Sequence, residues 1–149
     1  MELSRNETIM KYAGLVYAII FIGAVLVFIL LPGPMLAVIN AVSLTFFPSL
    51  PLASDSGKFW LSLAVSMMAT ITVLSFLIFK DVRRNYAMAV PLVTAKFTSS
   101  LFGLGFFMAG FACAETGWNT LANLVIFCSD FPLGALMLVL YRLVQKERA

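Results

Sequence analysis

Lys96 and Asp130 are ionisable side chains set inside apolar stretches that are each long enough to cross a bilayer, and few other residues have a type or spacing suited to chemistry. A charge in hydrocarbon is costly, which makes each of them a site candidate from the outset. A carboxyl facing an ammonium offers two kinds of chemistry. It can titrate while protons or cations pass, or it can neutralise its partner and fix a contact between helices. The chain shows no serine elbow of the hydrolase kind and no obvious catalytic dyad, so no catalytic residue is assigned and it reads away from an enzyme.

The elements that must position the two charges follow from hydropathy. Apolar residues make up 62% of the 149 and charged residues 11%, a balance foreign to water-soluble domains. Four apolar runs approach the ~20 residues that a spanning helix needs. They cover about 12–31, 59–79, 87–111 and 119–141. Hydrocarbon forces each run to satisfy its own backbone, and no short alternating pattern suggests a barrel, so the fold class is all-α. The expected architecture is a single transmembrane domain over 1–149, an integral membrane four-helix bundle. The basic lead of Arg5 and Lys11 before the first run resembles a signal peptide, but that run is longer than the ~7–15 residues of a signal core. It is read as a retained span. No lipidation motif is evident.

Counting along continuous helices places the charges at a common depth. Lys96 lies a dozen residues from Arg84, and Asp130 a dozen from Arg142, so each sits about 18 Å from its basic anchor. Spans three and four share a short connection and run antiparallel as neighbours, which makes a Lys96–Asp130 ion pair geometrically reasonable. Lys96 shares a helical face with Ser99, Ser100, Gly103 and Gly110, and Asp130 shares one with Asn123 and Gly134. Span two presents Ser62, Ser66 and Thr70 at four-residue steps. The expected site is therefore an intramembrane polar cluster of Lys96, Asp130, Ser66, Thr70, Ser100 and Asn123, between spans two, three and four.

Each charge also has a plainer reading. If span three begins at Pro91, a comfortable first-turn residue, Lys96 lies only about 7–8 Å inside and can snorkel to the headgroups. Asp130 is central to its span, and its plain alternative is a protonated, hydrogen-bonded structural acid. Pro132 removes the bond to the Cys128 carbonyl, so a kink is expected beside it.

Of the ten lysines and arginines, eight fall on one side of the four spans and only Lys58 on the other. By the positive-inside rule both termini and the Lys80 to Asn85 turn are cytoplasmic. The net charge of +3 then reflects topology, and no nucleic-acid partner is implied. Residues 35–47 form an apolar window too short to span, bracketed by prolines. It is expected to lie in the outer interface with Asn40, Ser43 and Thr45 toward water. The chain has no histidine, no phosphate-binding glycine loop and no Cys-x-x-Cys, so neither metal nor cofactor is expected. Cys113 and Cys128 differ by about 15 Å in depth, too far to bridge, and read as small apolar fillers.

The runs FWLSLAVSMMATIT, KFTSSLFGLGFF and CSDFPLGALMLVLYRL resemble those of small four-span bacterial inner-membrane proteins with no assigned activity. One span, an apolar outer loop and then three closely joined spans is also similar to the topology of DoxX-like proteins, some of which are subunits of membrane oxidoreductase systems. This resemblance is topological and transfers no site. It implies an accessory, assembly or interaction subunit, with the bilayer and a larger membrane complex or homo-oligomer as partners. Two other classes stay open: a small proton- or cation-coupled transporter acting through Asp130, and a lipid- or quinone-binding protein. Small multidrug transporters also have four spans, but their first span carries a glutamate that span one here lacks.

Overall fold

The computed structural model describes residues 2–54, 58–113 and 117–148, the side chains of 58–60 excepted. Among them the secondary structure is all helical. The elements are α1 (Arg5–Leu30), α2 (Pro32–Phe46), α3 (Lys58–Lys80), α4 (Val82–Asn85), a 3-10 turn (Tyr86–Met88), α5 (Ala89–Ala112) and α6 (Leu121–Arg148). Four helical lengths are long and apolar enough to cross a membrane: Arg5–Leu30, Leu61–Lys80, Val82–Ala112 and Leu121–Arg148.

Local chemistry sets the boundaries. Ser4 caps α1 in a reciprocal box, its hydroxyl accepting from the Glu7 N–H at 3.1 Å while Glu7 Oε2 accepts from the Ser4 N–H at 3.0 Å. Leu31 closes α1 because Pro32 has no N–H to continue the ladder, and the same proline starts α2 at no cost. Past α3, Asp81 accepts from the Arg84 N–H at 3.1 Å and caps α4. Asn85 reaches back to donate to the Leu77 carbonyl at 2.8 Å, which also accepts the Asp81 N–H at 3.1 Å, so the turn is tied to the end of α3. Helical structure resumes at Val82, well before Pro91, which sits in the first turn of α5. Lys96 is therefore several turns into a continuous helical length, deeper than a start at Pro91 would place it.

The long helices pack as two antiparallel pairs, α1 with α3 and α5 with α6, joined mainly where α1 meets α6. In the first pair Gly14 sets the spacing. A Cβ there would lie 2.8 Å from the Ser75 carbonyl oxygen, so only glycine lets the two backbones approach this closely. Met10, Tyr17, Ile78, Leu92, Met137 and Val144, drawn from all four long helices, belong to one buried cluster.

One end of the bundle gathers both termini and the turn after α3. Glu7, 6% exposed, accepts from Arg83 Nε at 3.2 Å and from Arg148 at 2.8 Å. Arg148 also donates to the Arg83 carbonyl at 2.7 Å and lies 4.4 Å over the Tyr86 ring, which stacks on Tyr141. A single carboxylate thus joins α1, α4 and α6, while Ser4 and Asn6 hold Glu147 at 2.5 Å.

Helix α2 runs over Pro32–Phe46, a little earlier than 35–47, and packs back on α1 and α6. Asn40 makes two 2.9 Å hydrogen bonds with the Ala53 backbone and ties down the segment that follows. Ser43 departs from the water-facing expectation, being only 1% exposed. Residues two positions apart on a helix point about 200° apart, so Ser43 and Thr45 could not share one face. Cys113 and Cys128 are both exposed, so neither fills core space.

Replacing Gly14 by alanine is expected to destabilise the purified protein by about 1–3 kcal/mol, the usual cost of overpacking a close contact. Gly23→Ala, where a Cβ meets nothing within 4 Å, should leave the melting curve unchanged. Circular dichroism melts in one detergent compare the two; equal loss in both would remove the close-approach explanation.

Candidate functional site

The site is assembled from three helices. Lys96 and Ser99 are three residues apart and so share a face of α5, Asp130 lies about a third of the way along α6, and Tyr17 and Phe21 form an i, i+4 pair on α1. The Lys96 ammonium is 2.7 Å from Asp130 Oδ1. Ser99 Oγ donates to the second carboxylate oxygen, Oδ2, so both oxygens have a donor. The same hydroxyl lies 3.1 Å from the Lys96 carbonyl, and its single proton goes to the charged acceptor, which binds it more strongly. Phe21 presents its ring face to the ammonium at 3.9 Å from the centroid.

Burial makes this arrangement demanding. The Lys96 side chain is 3% exposed and that of Asp130 13%. Removing either partner would strand the other without water or counter-charge, whereas together they form a neutral unit with directed hydrogen bonds. The space for the Lys96 stem comes from Gly134, where a Cβ would lie only 3.1 Å from Lys96 Cβ. Asp130 and Gly134 are one helical turn apart, so charge and gap occupy one face of α6. Phe97 and Phe131 meet edge to face at 5.7 Å beside the pair. Tyr17 donates its hydroxyl to the Leu133 carbonyl, drawing α1 against α6 at the same level.

The residues predicted around the pair are distributed otherwise. Ser100 is buried, 2% exposed, but its hydroxyl has no hydrogen-bond partner among the described residues. One helical step turns it about 100° from the Ser99 direction, away from the carboxylate. Ser66 and Thr70 lie on an exposed face of α3, where Thr70 donates to the Ser66 carbonyl at 2.9 Å. Asn123 is about 10 Å along α6 from Asp130 and donates to the Trp118 carbonyl at 2.6 Å, near the helix start. The helix that completes the site is α1 rather than α3, because α1 lies against α6 while α3 packs on α1 through its Ile71, Ser75 and Ile78 face. The Lys96 ammonium is directed at Asp130 and not toward the helix end.

Phe21 and Tyr17 have no place in the predicted cluster. One signal for Tyr17 is present in the sequence: between Ala13 and Leu31 it is the sole side chain with a polar atom. Phe21 carries no comparable mark, being one phenylalanine among fourteen. What the arrangement can do chemically is neutralise, orient and hold. Among the described residues no three His, Cys, Asp or Glu side chains converge to hold a metal.

Single substitutions Lys96→Met and Asp130→Asn are each expected to cost about 3–5 kcal/mol, the range for leaving one buried charge unpaired. The double variant should recover more than half of the summed loss, because each change removes what stranded the other. Ser66→Ala and Thr70→Ala should be within about 0.5 kcal/mol of the parent, as for other exposed positions. Unfolding midpoints of the set decide this; strictly additive losses would mean that the pair makes no net contact energy. No known protein family, characterised protein or solved structure matches the chain.

Proposed function

We propose that this chain is a multi-pass protein of the bacterial inner membrane, with both termini cytoplasmic, acting as an accessory or assembly subunit of a larger membrane complex or homo-oligomer. The observation that carries the reading is the mutual satisfaction of Lys96 and Asp130: the ammonium has the carboxylate and the Phe21 ring, and the carboxylate has Lys96 and Ser99. A carboxylate that loads and releases a cation needs an open coordination position and a competing state. This one is engaged at both oxygens. It suits a fixed register between helices better than a transport cycle.

Orientation rests on charge. Arg83, Arg84, Lys146 and Arg148 gather at the end that also holds both termini, which the positive-inside rule assigns to the cytoplasm. Helix α2, exposed at Val38, Leu44 and Phe46, then rests in the outer interface as an amphipathic cover rather than a fifth span.

Extraction in a mild detergent followed by sizing and cross-linking tests the assignment. The expected result is that the chain travels with a larger membrane partner or with further copies of itself. A solitary monomer that moves protons or cations into vesicles, with the movement lost in Asp130→Asn, would replace this reading with the transporter one.

A further inference from the structure

A groove of about 380 Å³ runs along the surface between α1 and α3, lined by Leu15, Ala18, Ile19, Ile22, Thr72, Val73 and Phe76. Its one hydroxyl, that of Thr72, is already donated to the Met68 carbonyl at 2.9 Å, which leaves the walls apolar. The α1 wall follows the i, i+3, i+4, i+7 pattern of one helical face, and one turn earlier on that face stands Lys11. Across the seam the α3 wall continues from Phe76 toward Phe79 and Lys80. The Lys11 ammonium lies 5.6 Å from the centre of the Phe79 ring, which places a cation at the basic end of the groove.

Lys11 differs from Arg83 and Arg148 in what it faces. Glu7, one turn before it, is committed to Arg83 and Arg148, and Asp81 is occupied in capping α4. Lys11 forms no ion pair among the described residues. From Leu15 to Ile22 the groove runs about 10 Å along the helix. Lys11 stands one turn before it, and from Lys11 to Ile22 is about 16 Å, close to the ~15 Å of hydrocarbon in one leaflet. A cation at headgroup level one turn above an apolar channel matches the upper part of an anionic phospholipid.

We propose that this groove binds one acyl chain of an anionic phospholipid from the leaflet at the basic end, with Lys11 holding its phosphate. This rests on the membrane reading above and adds a ligand and a headgroup preference to it. Apolar contact seats the chain, while Lys11, with Lys80 one turn beyond Phe76, selects charge.

Native mass spectrometry of the full chain, delipidated in detergent and titrated with phosphatidylglycerol or with phosphatidylcholine of identical acyl chains, tests the proposal. One phosphatidylglycerol should remain bound at activation energies that strip phosphatidylcholine. Lys11→Gln should weaken that retention about fivefold, the worth of one lysine near an anionic surface. Ile22→Trp, which fills the groove from an exposed position, should weaken both lipids, with unchanged helical content in each variant. Equal retention of the two lipids, or full retention in Lys11→Gln, overturns the site. A dimer lost in Ile22→Trp without any lipid dependence does so as well, by giving the groove to a second copy. Insertion is scored separately: wild type that resists alkaline extraction from vesicles yet shows no lipid preference sinks only the lipid site, whereas wild type that is extracted sinks the membrane reading and the site with it.

Discussion

A charge held away from water must find its counter-charge, and the packing of three helices here follows from that demand at Asp130. The carboxylate is far from either end of α6, so its donors have to come from neighbouring helices at the same level. Lys96 and Ser99 supply them from α5. The pairing fixes the register of α5 against α6, because a shift by one turn, about 5.4 Å, would separate ammonium from carboxylate. Phe21 under the ammonium and Tyr17 on the Leu133 carbonyl extend the same constraint to α1. Apolar packing in lipid has little of this directionality, since the tails are as apolar as the side chains they compete with.

The basic end uses the same physics in a wetter setting. There one carboxylate, Glu7, serves two guanidiniums from different elements and brings the first helix, the turn after α3 and the last helix together. The two polar centres divide the work. The buried pair sets the register of the helices, and the cluster at the basic end closes their ends. Helix α3 takes no part in the buried pair and is held through α1, by the close approach at Gly14 and by Ile71, Ser75 and Ile78.

Much of this was legible in the residues. Hydropathy alone announces four long helices, since hydrocarbon admits little else, and the match of Lys96 to Asp130 follows from counting back to Arg84 and Arg142 on antiparallel neighbours. Which third helix joins them was not legible. Ser62, Ser66 and Thr70 advertise a polar face on span two, but Thr70 satisfies its hydroxyl on the Ser66 carbonyl within its own helix. A helix can internalise hydroxyl groups in this way, so a serine or threonine row need not seek a partner. Phe21 contributes through its π face, which no pattern of polar residues reveals. Ser43 was misplaced for a geometric reason, because α2 folds back and turns that face inward.

Solid-state NMR of the protein in lipid bilayers, with ¹⁵N-lysine and ¹³C-aspartate, measures the central contact directly. The account predicts a through-space correlation between a lysine Nζ and an aspartate Cγ that disappears in both Asp130→Asn and Lys96→Met. Its absence from the wild-type spectrum, or its survival in either variant, would contradict a direct Lys96–Asp130 pair as the organising contact of the bundle.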